Sequence, residues 1–151
     1  MLYNTDKIKV VLVDDDEDDI ELFQEAFSSV KVKSKLSFFK DGSEAMDYFS
    51  KSENEIPHIL FLDLNMPKMG GIEVLTKLRQ MERYKELPIA MYSTSSNEDD
   101  IEATLGLGAN IYIVKPNEFE KLKKALSEIL KIQWQYENDK LDLKNYLMVF
   151  D

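Results

Sequence analysis

The stretch that decides the fold is Ile8-Lys9-Val10-Val11-Leu12-Val13, followed at once by Asp14-Asp15-Asp16-Glu17-Asp18-Asp19. A β-branched apolar run of this length reads as a strand buried on both faces. It stops where six acids begin, and the next apolar residues, Ile20, Phe23, Phe27 and Val30, recur at helical spacing. A strand feeding a helix through an acidic turn is therefore the first unit of the chain.

The same unit recurs four more times. Leu36-Ser37-Phe38-Phe39 stops at Asp41-Gly42, a turn signal, and Ala45, Met46, Tyr48 and Phe49 follow at helical spacing after Ser43, a candidate N-cap. Ile56 to Leu62 runs into Asp63, and Ile72, Leu75 and Leu78 follow. Leu87 to Tyr92 runs into Ser93, and Ile101, Thr104 and Leu105 follow a start at Ser96-Asn97-Glu98-Asp99. Ile111 to Val114 runs into Lys115-Pro116, and Phe119, Leu122, Leu126, Ile129 and Leu130 form the clearest stripe. Five alternating strand–helix pairs predict a doubly wound α/β sandwich around a five-stranded parallel sheet, with right-handed crossovers.

Composition limits the function. The chain has 151 residues, 19 basic and 29 acidic, for a formal net charge of −10. That balance argues against a nucleic-acid surface and against an anionic membrane surface. With no cysteine and one histidine, thiolate chemistry and multi-histidine metal sites are excluded. Lys7 and Lys9 interrupt the N-terminal region before any signal-type apolar segment forms. No apolar run approaches the ~18–20 residues of a membrane span. The expectation is a cytoplasmic single domain.

In open parallel sheets ligands bind beyond the carboxyl ends of the strands. Those ends carry Asp14, Asp15, Asp63, Ser93 and Lys115. Three close carboxylates need a proton or a cation between them. Hard oxygen ligands suit Mg²⁺, and a lysine with a hydroxyl opposite suits a phosphoryl group. An Asp carboxylate also serves as phosphoryl acceptor in aspartyl-phosphate enzymes.

At these residues the chain resembles the receiver domain of bacterial response regulators, the CheY-like fold of two-component signalling. The matching pieces are Val-Leu-Val-Asp14-Asp15, Asp63 in Leu-Asp-Leu-Asn-Met-Pro-Lys-Met-Gly-Gly, Ser93 after Met-Tyr, and Lys115-Pro116, across residues 6–130. The resemblance implies strand order 2-1-3-4-5 and a receiver domain over 6–136. It implies Asp63 as the phosphoacceptor, and Asp15 as a direct Mg²⁺ ligand assisted by Asp14, with Asp63 in the same metal site. The backbone carbonyl of Asn65 is implied as a further ligand. Lys115 is implied to pair with the phosphoryl oxygens, Ser93 to swing toward them, and Tyr112 to rotate inward behind it. The implied partners are a histidine kinase or histidine-phosphotransfer protein and a downstream protein target. Ser93 replaces the more usual Thr, and Gly70 stands where relatives often carry Asp, which predicts a more flexible loop. The segments 16–20, 66–69 and 93–95 resemble small single-domain receivers paired with bacterial phytochrome-type histidine kinases.

Other readings fare worse. A phosphatase of the haloacid-dehalogenase class needs a second Asp where Asn65 stands. A flavodoxin-like flavin binder needs a phosphate loop where the acids lie. A degenerate receiver would not keep the full set. The chain is thus expected to be a stand-alone phosphoacceptor rather than a turnover enzyme. Asp16 to Asp19 read as a solvated rim, His58 as a surface or edge residue, and Trp134 as a packing anchor. The apolar Tyr146 to Phe150 make the 137–151 tail a candidate dimer arm, against the alternatives of folding back or disorder.

Overall fold

A computed structural model describes the backbone of residues 7–139 except Val32, with side chains as far as Lys131. The order is β1 (Ile8–Val13), α1 (Glu17–Ser28), β2 (Ser34–Phe39), α2 (Gly42–Phe49), β3 (Ile59–Leu62), α3 (Gly71–Gln80), β4 (Ile89–Ser93), α4 (Glu98–Gly106), β5 (Ile111–Val114) and α5 (Phe119–Asp139). The strands are parallel, in the order β2-β1-β3-β4-β5.

Alternation within each apolar run divides the core in two. Val10, Leu12, Ile59, Phe61, Tyr92, Ile111 and Ile113 pack against α1 and α5. Val11, Val13, Leu60, Leu62, Ile89, Met91 and Tyr112 pack against α2 and α3. The strands therefore need apolar residues on both faces. Only the edge strand β2 lacks a fully buried residue.

Local details differ from the sequence reading. The N-cap of α2 is Asp41, not Ser43; its carboxylate accepts from Glu44 N at 2.8 Å. Ile72 is 41% exposed, because Gly71, Val74, Leu75 and Leu78 form the inward face of α3 and put Ile72 outside it. In α4 the fully buried residue is Thr104, while Ile101 and Leu105 are half-buried. β3 starts at Ile59 rather than Ile56, since Pro57 has no N–H to give a ladder. Ser93 is the last residue of β4 rather than the one after it.

α5 continues unbroken past the 136/137 boundary to Asp139. The segment 140–151, with the candidate arm Tyr146 to Phe150, lies outside the described residues. So do the contacts of Trp134.

Candidate phosphoacceptor site

Strand register brings the site together. Val13 pairs with Leu62, so Asp14 and Asp63 leave adjacent strands at the same level. Asp63 N donates to Val13 O at 2.9 Å and fixes that level. Ser93 pairs with Val114, and Lys115 N donates to Ser93 O at 2.7 Å. Four strands thus deliver Asp14, Asp63, Ser93 and Lys115 to one rim of the sheet.

Asp14 is fully buried and Asp63 is 6% exposed, whereas Asp15 is exposed. The three carboxylates offer oxygens that lie within 4.8 Å of one another. Lys115 Nζ stands 2.9 Å from Asp14 Oδ2, 2.8 Å from Asp19 Oδ2 and 3.7 Å from Asp63 Oδ2. It also lies 5.2 Å from the centre of the Tyr92 ring.

Burial pushes the Asp63 carboxyl up to about 7. Lys115 opposes that shift, and the charges of Asp14 and Asp15 add to it. Asp14 is raised too, chiefly by burial. Burial pulls Lys115 down, but its hydrogen bond to Asp19, its close contact with Asp14 and the charges of Asp14 and Asp63 outweigh this and hold it above the usual lysine range. One ammonium therefore serves more carboxylates than it can neutralise.

The donor set fits a divalent cation. Asp14 Oδ1 accepts from Asp16 N at 3.0 Å, but Oδ2 receives no well-directed hydrogen bond, only the ion pair with Lys115. A buried carboxylate oxygen left in that state is what a hard cation completes. Asn65 follows two residues after Asp63, exposed in the loop beyond β3.

The hydroxyl side of the site is fastened. Ser93 is fully buried, and its Oγ accepts from Ser95 N at 3.1 Å. Tyr112 is also fully buried, with its hydroxyl donating to Ser95 O at 2.9 Å. Tyr112 thus already stands on the inside in this structure. Ser95 Oγ donates to Asp100 at 2.6 Å and ties the loop to α4.

A sequence profile described as the response regulator receiver domain matches residues 10–127. The chain belongs to the response regulator receiver family. It is 32% identical over 127 residues to the probable methanogenesis regulatory protein FilR2 of Methanothrix harundinacea (strain 6Ac), covering 82% of each chain. It is 34% identical over 124 residues to response regulator Rcp1 of Synechocystis sp. (strain ATCC 27184 / PCC 6803 / Kazusa), covering 80% of this chain and 84% of Rcp1. Among solved structures it resembles the phosphorylated cyanobacterial phytochrome response regulator RcpA. The TM-score is 0.76 and the identity 31%, over 91% of this chain and 98% of RcpA. The Mn²⁺-bound form of Rcp1 gives 0.76 and 30%, over 84% and 94%.

A receiver with this acidic cluster suits a divalent metal. Among the described residues no helix is long and apolar enough to cross a membrane. His58 is half-buried beside β1, its Nδ1 accepting from Lys9 N at 2.9 Å.

Asp19 corrects the solvated-rim reading of residues 16–19. Asp16 caps α1, its carboxylate accepting from Asp18 N and Asp19 N, and Glu17 pairs with Lys40 at the surface. Asp19 instead reaches into the site and takes the shortest contact with Lys115. The available signal was spacing. Asp19 lies four residues, one helical turn, before Phe23, whose buried side chain marks the inward face of α1.

Proposed function

We infer that Asp63 is the phosphoacceptor of a two-component pathway, taking its phosphoryl group from a phosphohistidine. The supporting observation is that Asp63, Asp14 and Lys115 form one buried cluster at the strand ends. An Asp63 carboxylate oxygen forms the new bond to phosphorus. The phosphorus–nitrogen bond breaks, and its electron pair stays on the imidazole, which is left neutral or takes up a proton. Asp14, Asp15, Asp63 and the Asn65 carbonyl would hold Mg²⁺, which when bound neutralises charge developing on the transferred group. Lys115 pairs with the phosphoryl oxygens from the opposite side.

Ser93 then gives up Ser95 N and turns toward the phosphoryl group, with Tyr112 behind it. This is a population shift that alters the outer face for a downstream protein. The chain acts as an acceptor that promotes its own loading and unloading, rather than as a turnover enzyme. The likeness to RcpA, a phytochrome response regulator by its description, favours a phytochrome-type histidine kinase or a histidine-phosphotransfer protein as donor. We read the chain as a cytoplasmic, stand-alone receiver, a reading supported by its match to 98% of the RcpA chain.

Incubation with acetyl phosphate and Mg²⁺, followed by intact-mass measurement, tests the acceptor. Wild-type protein gains one phosphoryl group and Asp63→Asn gains none. Absence of uptake by the wild type, or equal uptake by the variant, overturns the assignment.

A further inference from the structure

Lys115 is gripped by two acids that differ in their surroundings. Asp14 has no exposure, whereas the Asp19 side chain is 32% exposed. The Lys115 side chain is itself only 8% exposed, so its ammonium has little water to turn to. It makes its closest contacts with Asp19 at 2.8 Å and Asp14 at 2.9 Å and stops outside hydrogen-bond range of Asp63. Of the two holders, only Asp19 can release the ammonium and be rehydrated at small cost.

We propose that Asp19 is a positioning residue for phosphoryl transfer, a releasable counter-anion that competes with the phosphoryl group for Lys115. The proposal rests on Asp63 being the acceptor. With Asp63 empty, Asp19 holds the ammonium toward α1. A phosphoryl group on Asp63 brings oxygens toward Nζ, and the ammonium transfers to them. The freed Asp19 carboxylate faces water at the first turn of α1, where the helix dipole also favours an anion. Asp19 therefore disfavours the loaded state in two ways: it must be separated from the ammonium, and its charge repels the incoming dianion. Lys40 engages Glu17 on the same turn, at the surface.

The test compares wild type, Asp19→Asn, Asp19→Glu and the control Glu17→Gln at saturating Mg²⁺. Uptake from acetyl phosphate is read by intact mass as half-saturating donor concentration and as maximal occupancy, followed by decay after donor removal. Asp19→Asn lowers the half-saturating concentration about threefold to fivefold and lengthens the loaded lifetime by a similar factor. Asp19→Glu, which keeps the charge, returns both toward wild type, and Glu17→Gln changes neither. In metal-free, donor-free protein labelled with ¹⁵N-lysine, the Lys115 ammonium exchanges faster in Asp19→Asn than in wild type. Uptake that Asp19→Asn leaves unchanged or weakens, an Asp19→Glu variant that behaves like Asn, or unchanged ammonium exchange overturns this role alone. No uptake by wild-type protein overturns the acceptor reading itself, and this role with it.

Discussion

The ammonium of Lys115 stops 3.7 Å short of the Asp63 carboxylate although only 2.9 Å separates it from Asp14. Of the three carboxylates that the lysine contacts, the proposed acceptor is thus the one it grips least. Asp63 stays outside hydrogen-bond range of the ammonium, while Lys115 stays near enough to meet the oxygens that a phosphoryl group would add.

Removing Lys115 separates its two duties. In Lys115→Ala the buried carboxylates of Asp14 and Asp63 lose their counter-charge, and metal-free protein should lose about 1–3 kcal/mol of stability. Saturating Mg²⁺ should recover much of that loss, because the cation replaces the missing charge. Phosphoryl uptake from acetyl phosphate should still fall at least tenfold. Urea melts with and without Mg²⁺, beside intact-mass uptake, check both. A variant that is equally destabilised with and without Mg²⁺ would show the metal site to lie elsewhere.

Asp63 gives metal-free protein a pH dependence of defined sign. Its carboxyl sits near 7 in the fold against an ordinary 3.8. Between those values the unfolded chain releases the proton and the folded chain keeps it, so stability falls as pH rises from about 4 to about 7. Asp63→Asn has no such proton and should be more stable than wild type at pH 8 by about 2 kcal/mol, with a shallower pH slope. Some slope remains, since Asp14 is raised as well. Metal affinity runs the other way, strengthening as pH rises through about 7 and the carboxyl ionises. Thermal melts from pH 4 to 8, with and without Mg²⁺, measure both trends.

Gly71 should tolerate no side chain. A Cβ there would meet Asp63 O at 2.2 Å and Leu64 Cα at 2.9 Å, both backbone atoms. Gly71 N donates to Leu64 O at 2.9 Å, so helix and strand end are tied at this contact. Gly71→Ala must push the start of α3 away from β3 and displace Asp63. A stability loss of about 2 kcal/mol or more is expected, with phosphoryl uptake reduced beyond what partial unfolding explains. Uptake per folded molecule equal to wild type would show that the strand end holds its position without α3.

The sheet was legible because burial on both faces forces near-continuous apolar runs, and each run ends where the chain leaves the core. Asp14, Asp63 and Lys115 were legible for the same reason, being the residues at which those runs stop. Ser93 lay one residue inside its strand, and the cap of α2 fell on Asp41 rather than Ser43. Such shifts depend on which side chain reaches a backbone N–H, and residue type alone leaves several candidates. Asp19 was lost among neighbours of identical charge. Only the direction of the first helical turn separates an acid that faces water from one that faces Lys115. Arg79 was equally silent. Its guanidinium donates to Gly108 O, Tyr84 O and Asn110 Oδ1, contacts that join segments up to 31 residues apart.

Tyr112 and Ser95 carry the last prediction. The Tyr112 hydroxyl donates to Ser95 O, Ser95 N donates to Ser93 Oγ, and Ser95 Oγ donates to Asp100. In the proposed switch Ser93 would turn toward the phosphoryl group only if the Ser95 N contact opened, so the firmness of this loop would set the energy of switching. Tyr112→Phe removes one tie without touching the acidic cluster and should cost about 1 kcal/mol of stability. The amide of Ser95 should then exchange faster with solvent in the unloaded protein. Phosphoryl uptake should be kept, while the spectral difference between unloaded and loaded protein in residues 93–106 should shrink. The loop would already sample its released arrangement before loading, leaving less of a change for the phosphoryl group to drive. NMR of both states measures this. A loaded-minus-unloaded difference as large in Tyr112→Phe as in wild type would remove the tyrosine hydroxyl from the switch.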